Sequence, residues 1–487
     1  MTSDSLEVSG GAGGVTAKYD DMLSAAAGLE RIANSLTDRE PMIGAVIRNG
    51  DLIESTVLSP VTAAQVTLHV TAATVGPHGL VVGAATMKAT ALTLTTAVDA
   101  YRTLDDALAR ATTFGQAAGV PVALWGLANR EFGRAAYDLW TWDFDGLKKL
   151  PGLAADDAGN LLYNNPWLVD GIINNTPAMM WMLSAGIGPV GTTALSYWTG
   201  SREGVPFPPT SVQDATGDVV AFGTAFGAFE NGTPRVDKLG EPQIADPNAI
   251  SVPTNLESTM RGVGELGGQK GTIRIFEVPQ TDGTRRWVVE IPGTQNWDTT
   301  AGDNPVDTTN NVRLMAGQQT AQNDAIREAM RQAGIPAGDP IMLAGHSQGG
   351  ITAASLASDP ATRAKYNITN VYTGGAPIAG FPIPDDVHVL SVEHDQDAVP
   401  RLDGQDNPDR PGWVTVHRDP TGLVNKHGQT VDDTAETHDN YIYTNTAGLI
   451  DRSTDPTVVR QRSAFDPFFA GSGGTKVTTY QLHRDTP

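Results

Sequence analysis

Apolar residues recur at helical spacing near the start of the chain. In KYDDMLSAAAGLERIANSL, from Lys18, the residues Met22, Leu23, Ala26, Leu29, Ile32 and Leu36 fall near one face, which predicts an amphipathic helix. A second run, about residues 80 to 117, contains MKATALTLTTAVDAYRTLDDALARATT. Its threonines lower helix propensity, but the period holds. GPHG (Gly76 to Gly79) punctuates the two runs. Residues 1–140 are therefore expected to form a mainly helical hairpin or bundle. Across 141–270 the periodicity is poor and Trp, Asn, Gly and Pro are frequent, so a connector of helix and loop, with a potential lid role, is expected. It ends in GVGELGGQKG (Gly262 to Gly271). Within it, residues 171 to 200 carry no charged side chain and nearly reach membrane-spanning length. Two prolines and several glycines, serines and threonines favour a buried or loop-rich segment instead.

From Thr272 the pattern changes. TIRIFEV and RWVVEI are short β-branched and aromatic runs separated by the turn signal TDGT. A helical run follows, about Val312 to Ala333, then the apolar strand IMLAG and a helix from about Gln348 to Ser358. NVYTG, VHVLSV and WVTVHR are further strands. Strands alternating with helices predict a parallel sheet in an α/β domain over 271–487.

Length, composition and charge narrow the function classes. A chain of 487 residues is too long for one ordinary domain, and 40% hydrophobic residues suffice for a sizeable core. The balance of 33 basic against 55 acidic residues, net −22, excludes a nucleic-acid partner and disfavours adsorption to anionic membranes. With no cysteine, disulfides, thiolate catalysis and zinc–cysteine sites are ruled out. The opening MTSDSLEVSGGAGG has neither a basic nor an apolar signal region, so no ordinary secretory signal is expected. That reading leaves the cytoplasm or another export route.

The chemistry centres on Gly345-His346-Ser347-Gln348-Gly349, a G-x-S-x-G pattern. It requires a serine on a tight strand-to-helix turn, its hydroxyl raised above the sheet, with glycines removing Cβ clashes. An apolar strand precedes it and the small-residue helix GGITAASLAS follows. The helix N-terminus offers amide donors to a developing oxyanion. This context resembles the nucleophile elbow of the α/β-hydrolases. A serine hydroxyl needs a histidine base oriented by a carboxylate, in the chain order Ser, acid, His. Of the nine histidines, His69 and His78 lie in the helical region, His346 on the elbow, and His388 and His394 at or before the acid candidates. His417, His427, His438 and His483 remain as bases. The acid belongs on the loop after VHVLSV, where Glu393, Asp395 and Asp397 have equal claims by position.

Four further segments, in order, resemble the fungal-type or class 3 triacylglycerol lipases over about residues 270 to 450. VVEIPGT (Val288 to Thr294) resembles that family's oxyanion strand. GGAPIAG (Gly374 to Gly380) resembles its G-x-P-x-x-G segment. Asp397-Ala398-Val399-Pro400 resembles its D-x-V-P loop, and His438-Asp439-Asn440-Tyr441 its H-x-x-Y. The resemblance implies Ser347 as nucleophile, Asp397 and His438 as its partners, and the backbone N–H groups of Thr294 and Gln348 as the oxyanion hole, with the Thr294 hydroxyl as a third donor. It further implies an esterase or lipase acting on small-molecule or lipid esters without a cofactor. The stretch QNWDTTAGDNPVDTTNNV after Thr294 departs from the pattern. It is polar and acidic, with Trp297 its lone large apolar residue, unlike an amphipathic lid. The acidic runs here and at Asp403 to Asp409 lack EF-hand spacing and are expected to be solvated loops without metal.

The N-terminal helices loosely resemble helical-hairpin proteins exported by actinobacterial type VII systems. Tyr101-Arg102-Thr103-Leu104-Asp105 fits their Y-x-x-x-D signal, although Trp125-Gly126 is not placed as a W-x-G turn. Type VII machinery is the partner this implies. Acyl transfer or thioester cleavage with the same triad, and an exported interaction module with a secondary hydrolase domain, are the alternatives to ester hydrolysis.

Overall fold

The computed structural model describes residues 6–11, 19–75, 80–85, 211–225, 227–469 and 474–486, with isolated positions between 87 and 173. The chain divides into two compact units, Thr16–Gly119 and Met1–Val15 with Val120–Pro487. The divisions expected near 140 and 270 do not coincide with these units. Strand residues on both sides of 270, and a strand from the N-terminus, complete one sheet.

In the smaller unit, helices α1 (Tyr19–Ile47), α2 (Gly50–Leu58) and α3 (Pro60–Val75) pack together. Ala26, Ala33 and Ala63 are buried. Small side chains on these faces let helices approach closely. Ile32, expected on the inner face of α1, is 49% exposed instead, because the inner face follows the buried Ala26 and Ala33 with the half-buried Leu29 and Leu36. Residues 80–85 continue as helix. The side chains of Met22 and Leu23, the Gly76–Gly79 break, most of the run to 117, the Tyr101–Asp105 pattern, Trp125-Gly126 and the uncharged stretch 171–200 lie outside the described residues. Among those described, no helix is long and apolar enough to cross a membrane.

The larger unit is built on one ten-stranded sheet. Its strands are β1 (Leu6–Gly10), β2 (Thr233–Lys238), β3 (Gln243–Ile244), β4 (Thr272–Pro279), β5 (Arg285–Ile291), β6 (Pro340–His346), β7 (Asn367–Gly374), β8 (His388–His394), β9 (Trp413–Arg418) and β10 (Lys476–Asp485). They run in the order β1-β9-β8-β7-β6-β5-β4-β10-β2, with β3 on β10. From β5 to β9 neighbours are parallel. The outer pairs are antiparallel. The six strands read from the sequence are β4 to β9. β1, β2, β3 and β10 were not anticipated, and they occupy the flanks.

Alternation along the central strands explains the layers. Val289, Ile291, Ile341 and Leu343 face one core with Leu314, Ile326, Met330, Ile351 and Leu356. These last belong to helices α6 (Thr308–Met315), α7 (Ala321–Gln332) and α8 (Gln348–Ser358). Val288, Met342, Ala344 and Tyr372 face the other core with Met260, Val263, Tyr443, Ala447 and Phe465. These belong to α5 (Leu256–Glu265), α11 (Asn440–Arg452) and α12 (Pro456–Phe465), with α4 (Val212–Ala225), α9 (Pro360–Arg363) and α10 (Thr434–Thr437) completing the set of labelled helices. A sheet buried on both faces needs apolar residues at both parities. The helical run expected over 312–333 is two helices. Thr320 caps α7 through Asn323 N, which ends continuity with α6.

Register brings the strand ends level. Ile291 pairs with Gly345, His346 with Gly374, and Gly374 with Val392. The loops after β5, β6, β7 and β8 therefore meet at one edge. Gly349, at the start of α8, is where β5 and α8 come closest. A Cβ there would lie 2.1 Å from the Ile291 carbonyl oxygen, and neither backbone can yield. Gly349→Ala is expected to destabilise the chain by about 2–3 kcal/mol or prevent folding. Gly268→Ala, which meets no atom within 4 Å, should leave Tm close to wild type. Thermal unfolding of the pair checks this.

Candidate active site

β6 ends at His346 and α8 begins at Gln348, so Ser347 alone makes the turn, at φ 55° and ψ −125°. For a residue with a Cβ this backbone is strained by about 1–3 kcal/mol, and it persists only where the surroundings enforce it. Here they do. Ser347 N donates to Gly374 O at 2.9 Å, while Gly350 N and Ile351 N donate to Ser347 O at 2.9 and 3.2 Å. A Cβ on Gly345 would sit 2.2 Å from the Gly349 carbonyl carbon, and one on Gly350 2.5 Å from the Ala376 Cβ. The glycines of the motif are thus where strand, turn and helix touch.

Asp397 lies in the turn after β8, its N–H bonded to His394 O at 3.0 Å. His438 caps the C-terminal end of α10, and Asp439 alone separates it from α11. Asp397 Oδ2 accepts from His438 Nδ1 at 2.7 Å and from the Tyr443 hydroxyl at 2.6 Å, and Oδ1 accepts from Val399 N at 2.9 Å. Asp397 is fully buried. Burial alone would raise its pKa, but the His438 charge interaction and these hydrogen bonds outweigh it and hold the carboxyl below its ordinary value. An ionised Asp397 fixes the proton of His438 on Nδ1 and leaves Nε2 as the nitrogen open to proton transfer.

The imidazole is packed from two sides. Gly375, at φ 60°, passes so close that a Cβ would lie 3.0 Å from His438 Cε1 and 2.9 Å from Tyr443 Cζ. The His346 ring stands 4.7 Å from that of His438. Burial lowers the pKa of His346 to about 3, so it packs as a neutral ring. Gly375 and His346 flank the two residues, Gly374 and Ser347, joined by the elbow bond. His438 and Ser347 are therefore neighbours. No hydrogen bond joins Ser347 Oγ to His438 among the described residues. Catalytic bonds of this kind often tighten only with substrate in place.

Thr294 follows β5 and is half-buried. Gly293 brings it to the elbow, since a Cβ at 293 would lie 3.3 Å from Ser347 Cβ. Among the described residues, the backbone N–H groups of Thr294 and Gln348 have no acceptor within the protein. The Gln348 side chain is buried and donates through Nε2 to Asp307 O at 2.7 Å, so its backbone N–H is the group left to act. Thr294 Oγ1 accepts from Asn311 Nδ2 at 2.9 Å, which leaves the hydroxyl proton free to donate.

The competing candidates have other partners. Glu393 accepts from Ser391 Oγ at 3.2 Å and from Asn407 Nδ2. Asp395 lies 3.8 Å from His417 Nδ1. His394 bonds Thr437 O and Thr446 Oγ1 and stacks on Tyr443 at 3.9 Å. His483 bonds Asp303 at 2.8 Å. Tyr441 of the H-x-x-Y pattern is 41% exposed. The phenol that reaches Asp397 is Tyr443, two residues on, which sequence reasoning missed. Its position on the inward face of α11 was the available signal. A cavity of about 750 Å³, lined by Leu314, Met315, Phe381, Ile383, Asp403 and Trp413, includes none of the five predicted residues. No group of three or more His, Asp or Glu among the described residues could hold a metal ion.

Near Asp397, burial outweighs the hydrogen bonds made to two other carboxyls. It pushes Glu393 up to about 8 and Asp403 up to about 7. A carboxyl whose pKa is raised by folding contributes stability that is full below its ordinary value and is lost as pH rises through the folded one. Asp397 runs the other way, contributing above its ordinary value until pH falls through its depressed one. The window for Glu393 is therefore about pH 4.5 to 8. Glu393→Gln keeps an acceptor for Asn407 and removes the charge. Its Tm should match wild type at pH 5 and exceed it by roughly 2–4 °C at pH 8. Unfolding scans at both pH values decide the point.

Residues 300–460 match the family model described as a PGAP1-like alpha/beta domain. The span contains Ser347, Asp397 and His438 and leaves Thr294 outside. No curated protein and no solved structure matches the chain. The match agrees with a mostly parallel sheet flanked by helices: the fold of this region is that of an α/β-hydrolase, and the domain is of hydrolase type.

Proposed function

We propose that the chain is a serine esterase or lipase that cleaves carboxylic esters through an acyl-enzyme. The observation that supports this best is the 2.7 Å bond from His438 Nδ1 to a buried, ionised Asp397, beside a serine held at φ 55°. In this reading Ser347 Oγ attacks the acyl carbonyl carbon as His438 Nε2 takes the hydroxyl proton. Asp397 keeps the imidazole in the reactive tautomer and stabilises the imidazolium. The carbonyl oxygen, now negative, accepts from Thr294 N–H and Gln348 N–H. Two donors fixed before the charge appears need no reorganisation when it does. The C–O bond to the alcohol breaks and His438 returns the proton to it. Water then repeats the sequence against the acyl-Ser347 ester and regenerates the hydroxyl.

Thr294 adjoins a polar segment in which Trp297 is the one large apolar side chain, 41% exposed. This favours short or soluble esters as first substrates to try. A labelled fluorophosphonate should modify the wild type and fail to modify Ser347→Ala, and the same substitution should lower kcat on a p-nitrophenyl ester by roughly 10⁴–10⁶-fold. Equal labelling of both proteins would overturn the assignment. A chain-length series of the same esters reads out the acyl preference.

A further inference from the structure

The segment between Thr294 and Asn311 carries one candidate oxyanion donor and braces the other, and it is held from the opposite end of the chain. Gln295 N donates to Val306 O at 2.9 Å and Thr308 N to Asn296 O at 3.0 Å, so the segment folds back on itself. Where its two arms meet, opposite Asn296, Asp307 makes three attachments. Its carbonyl accepts from Gln348 Nε2, its Oδ1 caps α6 through Asn310 N at 3.0 Å, and its carboxylate meets Arg484 of β10. Four residues on, Asn311 holds the Thr294 hydroxyl.

Arg484 and Asp307 both have side chains with no exposure to solvent. The guanidinium grips the carboxylate with two nitrogens, Nη2 to Oδ1 at 2.9 Å and Nη1 to Oδ2. The neighbouring residue repeats the attachment, His483 Nδ1 to Asp303 at 2.8 Å, and the Arg484 backbone N–H donates to Asp303 O at 2.6 Å. A two-pronged pair fixes orientation as well as distance, which a single ammonium cannot do.

We infer that Arg484 is a positioning residue: through Asp307 it sets where the Thr294 and Gln348 donors stand relative to Ser347. This rests on the ester-hydrolase reading above. Arg484 touches no reacting atom, and its effect runs through Asp307 to Gln348 on one side and through Asn311 to Thr294 on the other.

The test uses the full chain and three variants. Arg484→Lys keeps the charge and loses the fork. Asp307→Asn keeps the helix cap and the carbonyl. Asp307→Asn with Arg484→Gln removes both charges, so neither is left buried and unpaired. On a p-nitrophenyl ester, each is expected to lower kcat by about 10–100-fold with KM within about twofold, because loss of one such donor costs roughly 10²–10³-fold and displacement costs less. Arg484→Lys should lose least. Amide hydrogen exchange should quicken across residues 294–311 and stay unchanged in β6 and β7. A folded double variant with wild-type kcat and unchanged exchange overturns the inference, as does exchange that quickens throughout the chain with kcat and KM changing together. If the wild type cleaves no ester and takes no fluorophosphonate, the enzymatic reading fails, while exchange across 294–311 still decides whether Arg484 holds the segment.

Discussion

Ser347 N–H donates to Gly374 O at 2.9 Å, and that bond ties the ends of two adjacent parallel strands into one turn. It requires Ser347 to leave the strand abruptly, at φ 55°, with α8 starting on the next residue. Everything near it is then short of space. Gly345 and Gly349 are glycines because backbone from α8 and from the end of β5 occupies the volume a side chain would take, and Gly350 because the Ala376 and Thr373 side chains do. Gly375 is glycine because it has positive φ and carries the His438 and Tyr443 rings directly above it. Strain at one serine is thus sustained by close packing across four strand ends. The same closeness puts an imidazole, a hydroxyl and two unengaged amides within a few residues of one another.

Three acids within five residues show how environment separates chemically equal groups. Glu393 lies near the end of β8, and Asp395 and Asp397 follow it. Asp397 is the most enclosed of them, yet it alone has its pKa lowered, because His438, Tyr443 and Val399 N all donate to it. Glu393 receives Ser391 and Asn407 but also faces Asp403, and burial prevails. Burial disfavours charge in each case, and the number and charge of the donors decide whether it is overcome. Tyr443 matters here as the second donor to the oxygen that His438 uses.

Much of this was legible in advance where the signal is local. The six strands β4 to β9 announce themselves through β-branched runs bounded by turn residues, and the helix after Ser347 begins and ends where its small residues do. Ser347 and Asp397 lie at one level because β6 and β8 are parallel and in register, and His438 reaches Asp397 from the end of α10. What was not legible depends on distance along the chain. β1 and β10 pair with strands hundreds of residues away, and half-exposed flanking strands carry a weaker apolar pattern than central ones. Tyr441 and Tyr443 differ only in which side of α11 they face, so a spacing motif could name the wrong one. Arg484 looks like one charge near a polar terminus, and only the fold makes it a buried partner of Asp307.

That last contact bears on how the two halves of the site are held. The half of the candidate site formed by Asp397 and His438 is braced by its own loops and by α11, with Tyr443 and the His394 stack behind it. The half of the candidate site formed by Thr294 and Gln348 borders a polar segment, Gln295 to Asp307, that is held mainly by hydrogen bonds: Gln295 Nε2 donates to Leu266 O and Gln269 O, and Gln295 Oε1 accepts from Gly271 N and Asn304 Nδ2. A hydrogen-bond donor stabilises developing charge only as far as it is already in place, so in the proposed reading this half gains from further rigidity. A fully desolvated, two-pronged ion pair supplies it, since each partner would be left as an uncompensated buried charge if the segment moved. Burying such a pair adds little net stability compared with apolar packing of the same volume. In the proposed reading, its presence at Asp307 and Arg484 is explained by the position it gives Thr294 and Gln348 more than by any contribution to holding the sheet together.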